Sequence, residues 1–159
     1  MNGGILPLLL LCAASGLALA SASRQAAWLG LAALVAAALL ASLVTVPEAV
    51  RHAVLLGLLV STAATAALAY LRRLPTAAAI AIGVNNGFWA GAVAALLDLH
   101  AGLAIALFLL LLLIPAQWLA GQGYAIVTKV LASWIIAVAA LAGMVSFAPT
   151  PGYAPDHMQ

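Results

Sequence analysis

Apolar residues fill this chain in long runs, and its polar positions are gathered into short breaks between them. The runs extend from Ile5 to Ala20, Ala26 to Val46, Pro47 to Tyr70, Pro75 to Leu97, about Leu103 to Leu119, and Tyr124 to Phe147. A helix needs about 20 apolar residues to cross the hydrocarbon of a bilayer, and these runs are close to that length. In hydrocarbon every backbone N–H and C=O must find its partner within the segment, so a run of this kind reads as a helix. The pattern therefore predicts an all-α fold, a polytopic transmembrane bundle of about six short spans.

The breaks contain the signals that start and stop helices. Ser21-Ala22-Ser23-Arg24-Gln25 separates the first two runs. Pro47 and Glu48 are placed to open the third, since proline is tolerated in a first turn and a carboxylate is favoured at the positive helix N-terminus. Pro75 opens the fourth run, and Asp98-Leu99-His100 forms a tight turn after it. Pro115 kinks or ends the fifth, and Gly121-Gln122-Gly123 supplies a flexible connector. From Pro149 onward the prolines exclude a helix. This divides the chain into a bundle over residues 1–148 and an external tail over residues 149–159. The first run also has a competing reading as a secretory leader, because Ala18-Leu19-Ala20 has the small-x-small form that a peptidase cuts after. The stretch before Ile5 contains no Lys or Arg, however, and cleavage would leave Arg24 outside, so retention as a span is the expectation.

Composition narrows the class further. Hydrophobic residues make up 68% of the chain and charged ones 5%, against about 45–50% and about 25% in soluble domains. A water-soluble fold could not bury that much apolar surface. Arg24, Arg72, Arg73 and Lys129 fall at alternate breaks, while Glu48, Asp98 and Asp156 occupy the others together with His52, His100 and His157. Cytoplasmic loops retain Lys and Arg, which puts the basic breaks inside and both termini outside. Trp28, Tyr70, Trp118 and Tyr124 fall at the same basic face, as expected of aromatic residues at headgroup depth. The Ala- and Leu-rich composition points to a bacterial inner membrane. The net charge of +2 is accounted for by this asymmetry, so no nucleic-acid partner is expected. The expected partners are the lipid bilayer and copies of the same chain or other membrane subunits. Cys12 is the only cysteine, which excludes an intrachain disulfide.

The fourth run concentrates the candidate chemistry. Gly83, Gly87 and Gly91 recur every four residues, and Ala79 and Ala95 extend the series. One side of this helix is thus a groove that another helix can approach closely. Asn85 and Asn86 lie near its middle, where an amide facing lipid is expensive. At 100° per residue Asn85 projects almost opposite the glycine stripe, on the face of Trp89, while Asn86 lies between the two faces. Trp89 is far from either interface. Ser61, Thr62 and Thr65 of the third run lie at comparable depth. Two roles are open for Asn85, Asn86, Trp89, Thr62 and Thr65: interhelical polar contacts, or the lining of a path for a solute.

On the opposite face to Arg24, Arg72, Arg73 and Lys129, Glu48 with His52, Asp98 with His100, and Asp156 with His157 pair a carboxylate with an imidazole, a combination suited to metal or proton binding. None has the close two-histidine spacing of a metal motif, and loops are where solvated polar residues belong, so no metal or other cofactor is expected. Enzyme signatures are also missing: there is no glycine-rich phosphate loop, no pair of intramembrane carboxylates and no histidine at depth to activate a serine. Two functions fit what is left. One is passage of a small solute or ion as a channel, transporter or transporter subunit. The other is that of a non-catalytic structural or assembly subunit of a larger membrane complex.

Overall fold

The structure, a computed structural model, describes residues 5–71, 74–112, 114–115, 117–118, 122 and 125–147. Arg72, Arg73, Tyr124, Asp156, His157 and the tail over residues 149–159 lie outside the described residues. The helices are α1 (Ile5–Ala20), α2 (Arg24–Ser42), α3 (Arg51–Leu68), α4 (Thr76–Leu96), α5 (His100–Phe108) and α6 (Ala125–Phe147). Short 3-10 segments precede α3 at Glu48–Val50 and follow α5 at Leu109–Leu112. Among the described residues there is no strand, and the one extended pairing is an isolated bridge between Ala22 and Leu74. Arg24–Ser42, Glu48–Leu68 and Thr76–Leu96 are each long and apolar enough to cross a membrane.

Local sequence explains most boundaries. The Ser23 hydroxyl caps α2 by accepting from the Ala26 N–H at 3.3 Å. Pro47 and Pro75 precede their helices in extended conformation, as prolines do where the chain turns into a helix. Asp98 closes α4 with φ at 50°, a left-handed conformation that Asp tolerates better than most residues. The fifth run departs from the expected single span over Leu103 to Leu119. Regular helix begins earlier, at His100, and tightens to 3-10 geometry at Leu109. Pro115 has no N–H for the Leu111 carbonyl and its ring crowds that carbonyl, which disfavours continued α geometry through this turn.

Packing does not follow chain order. α1, at 16 residues the shortest of the four N-terminal helices, is central. Its Leu8, Leu11, Ala14, Ser15, Ala18 and Leu19 are buried almost completely, and it packs against α3, α4, α5 and α6. α2 lies along α4 instead, and α3 packs on α1, α4 and α6. α2 and α4 run parallel, with Gly30 facing Ala79 and Gly83, Leu34 facing Gly83 and Gly87, and Ala38 facing Gly87 and Gly91. The Leu74 N–H donates to the Ser21 carbonyl at 3.4 Å, so the connectors before α2 and before α4 meet at one end of the bundle. The Tyr70 hydroxyl donates to the Lys129 carbonyl at 3.2 Å, which brings the start of α6 to that same end. Arg24 and Lys129 therefore share one end, and the connectors bearing Glu48 and Asp98 share the other. The exterior is apolar: Leu40, Val60, Phe108, Trp134 and Leu141 are among many large apolar side chains left exposed. In water this would be costly, whereas it is compatible with a protein embedded in a membrane.

Candidate functional site: a polar cluster half-way along α4

α4 has 21 residues, and Asn85 and Asn86 are its central pair. With a rise of about 1.5 Å per residue, each lies about 15 Å from either end of the helix. The stripe of Gly83, Gly87 and Gly91 is occupied along its length by α2. A Cβ added at Gly83 would lie 2.1 Å from the Gly30 carbonyl oxygen, and one at Gly87 2.3 Å from that of Leu34. With α2 on this side and α1 and α3 on others, the two amides find different surroundings although they are consecutive.

Asn86 is fully buried and joins three helices. Its Nδ2 donates to Ser15 Oγ of α1 at 2.8 Å and to Thr65 Oγ1 of α3 at 2.9 Å. Its Oδ1 accepts from Ser61 Oγ of α3 at 2.6 Å, and the Thr65 hydroxyl lies 3.2 Å from the same oxygen. Ser15 Oγ in turn donates to the Leu11 carbonyl at 2.7 Å. Both amide hydrogens and the amide oxygen are thus engaged, which removes the penalty that an unpaired buried amide would carry. Thr62 stands apart from the cluster, because its hydroxyl donates to the Leu58 carbonyl of its own helix at 2.8 Å. Ser15, which the sequence reading omitted, was detectable as the single hydroxyl-bearing residue of α1.

Asn85 is exposed at the edge of this cluster. Its Nδ2 donates to Ser61 Oγ and, at 3.1 Å, to Asn86 Oδ1. Exchanging its amide O and N would set two carbonyl oxygens 3.1 Å apart, so the network defines the orientation. The Asn85 Oδ1 consequently has no partner among the described residues. It belongs to a groove between α3 and α4 with a volume of about 440 Å³, walled by Val60, Ala64, Leu68, Ala81 and Ile82 and open on the outside of the bundle. Trp89 bounds the groove at the Gly57 end, with its ring filling the space a side chain at Gly57 would need: a Cβ there would lie 2.3 Å from the indole. Phe88 stands edge-on to that indole, with ring centroids 5.3 Å apart and planes at 74°. A second groove, of about 120 Å³, is bounded by Trp28, Leu31, Leu107 and Leu110 and has an apolar lining.

Glu48 accepts from Arg51 at 2.8 Å in an exposed ion pair, His52 is exposed, and His100 is the first residue of α5. Among the described residues no three His, Cys, Asp or Glu side chains are grouped so as to hold a metal ion. Comparisons with protein-family models, with curated proteins and with solved structures find no match.

Proposed function

We propose that this is a small integral membrane protein that mediates or supports passage of a small solute across a bilayer, with the α3–α4 groove as its binding station. In this reading it lies in a bacterial inner membrane with the end bearing Arg24 and Lys129 toward the cytoplasm, following the basic-inside tendency. The observation that carries the reading is the Asn85 Oδ1. A primary amide half-way along a membrane-crossing helix is expensive unless its groups are paired. Asn86 is paired throughout, whereas Asn85 leaves one acceptor turned to a groove large enough for a small molecule. Polar groups at such depth mark solute paths more often than they face lipid. The indole of Trp89 then acts as the barrier between the groove and the far half of the span, and passage requires it to leave Gly57.

A second reading rests on the same groove being open sideways: a helix of another membrane protein covers it, and the chain is a non-catalytic assembly subunit. Osmotic response of proteoliposomes separates the two. Purified protein in liposomes is challenged with glycerol, urea and potassium chloride, and volume is followed by light scattering. Passage predicts faster re-equilibration than in protein-free liposomes for at least one probe, and return to the protein-free rate in Asn85→Leu with folding intact. No acceleration with any probe removes the passage reading and leaves the assembly one.

A further inference from the structure

We infer that the α3–α4 groove takes a neutral alcohol: a single hydroxyl at Asn85, with an apolar body along Val60, Ala64, Leu68 and Ile82. The inference rests on the groove being a binding station and names the chemistry of what binds. Its first support is the direction of the hydrogen bonds. The Asn85 amide nitrogen donates to Ser61 Oγ and to Asn86 Oδ1, and the Ser61 hydrogen goes to Asn86, so within the cluster Asn85 acts only as a donor. What Asn85 offers to the groove is therefore an acceptor, and its complement is an O–H or N–H donor. The second support is the lining itself, in which no side chain is charged. With no carboxylate to balance an ammonium and no base to balance an anion, a charged ligand would be desolvated without compensation. The third is Trp89, whose indole N–H is a donor with no partner among the described residues, one helical turn from Asn85. A hydroxyl is a neutral donor, so it meets the Asn85 acceptor where an ether or a ketone cannot, and without the charge of an ammonium.

Size follows from the volume. At about 30 Å³ for each non-hydrogen atom, by analogy with the volume a water takes in the liquid, 440 Å³ holds roughly ten to fifteen such atoms. Because the groove opens on the apolar exterior, such a ligand enters sideways from the hydrocarbon in which it already dissolves.

Trp89 provides the readout. In a protein whose other tryptophans, Trp28, Trp118 and Trp134, are replaced by Phe, the full chain in lipid nanodiscs is titrated with bromooctanol, with bromooctane and with the methyl ether of bromooctanol. Bromine quenches indole fluorescence at short range. The alcohol should quench saturably, at concentrations about two- to tenfold below those of the other two after correction for their partitioning into lipid, the advantage of one net hydrogen bond. Asn85→Leu, in which the amide is replaced by hydrocarbon of similar size, should abolish the preference. Equal quenching by the three probes, or no saturable quenching by any, overturns the inference, the latter being the result if another chain covers the groove. The comparison among probes needs no variant at Asn85, so a misfolded Asn85→Leu would not rescue the proposal. Flux of glycerol or urea without alcohol preference would discard the ligand class and keep the passage reading; alcohol preference without flux would do the opposite.

Discussion

Replacing Gly87 with alanine tests the contact that sets α4 in the bundle. The new Cβ would lie 2.3 Å from the Leu34 carbonyl oxygen, 2.8 Å from Ala37 Cβ and 3.0 Å from the Ala38 nitrogen. Two of these three atoms are backbone, which cannot rotate away. An ordinary C···O contact is about 3.3 Å or more, so α2 must withdraw by about 1 Å. A gap of that size forfeits roughly a quarter to a half of the dispersion energy of the surrounding contacts. Overpacking of this kind costs about 1–3 kcal/mol, against a gain of about 0.8–1 kcal/mol for alanine over glycine in a helix. The expected net effect is a loss of up to about 2 kcal/mol, toward the upper part of that range because the neighbouring atoms are rigid backbone. Gly16 in α1 is the matched control, since a Cβ there meets nothing within 4 Å; Gly16→Ala should stabilise by up to about 1 kcal/mol. Cys12 supplies the assay: it is 1% exposed, so a thiol-reactive fluorogenic dye labels it as the bundle opens on heating. Gly87→Ala should lower the labelling midpoint and Gly16→Ala should raise it. Equal midpoints for the two variants, or a higher one for Gly87→Ala, would show that α2 does not lie against the glycine stripe.

Three further outcomes are expected. Asn86→Leu removes the centre of the polar cluster, leaving the Thr65 hydroxyl without its partner and the Ser61 hydroxyl without its acceptor while Ser15 keeps the Leu11 carbonyl, so it should destabilise by roughly 1–3 kcal/mol in the same labelling assay; wild-type stability would refute the bonding described for Asn86. Gly57→Ala should dislodge the Trp89 indole, whose ring would stand 2.3 Å from the new Cβ, and an unchanged Trp89 emission spectrum in the single-tryptophan protein would contradict that packing. Single cysteines at Ser23 and at Glu48, in a Cys12→Ala background, should react with a membrane-impermeant maleimide from opposite sides of the bilayer, and labelling of both from one side would end the serpentine arrangement of α2, α3 and α4.

Much of the helical content follows from one-dimensional facts. The apolar runs have room for little but helix in hydrocarbon, and Ser23, Pro47, Pro75 and Asp98 mark where the helices begin and end because capping and proline effects act within a few residues. The presence of a bare groove on α4 was likewise readable from Gly83, Gly87 and Gly91. Periodicity describes the angles around one helix, however, and says nothing of which helices occupy them. Among apolar helices the usual guide is weak too, since lipid offers no hydrophobic bias between a buried leucine and an exposed one. Only the tertiary structure therefore put α2 in the groove and the short α1 in the core. It also separated the two asparagines. Their positions on the helix wheel set Asn85 opposite the glycines and Asn86 between faces, but α1 and α3 close over Asn86, and Ser15 reaches it from 71 residues away. Thr62, at the same depth as Ser61 and Thr65, bonds the carbonyl of Leu58 on its own helix. The turn of Leu109–Leu112 into 3-10 geometry was not visible in hydropathy, which scores leucine alike in any backbone; the position of Pro115 was the local clue. A saturated amide and an amide with a free acceptor differ in chemistry but are the same letter in sequence, and the distinction between them is made by neighbours that fold brings from elsewhere in the chain.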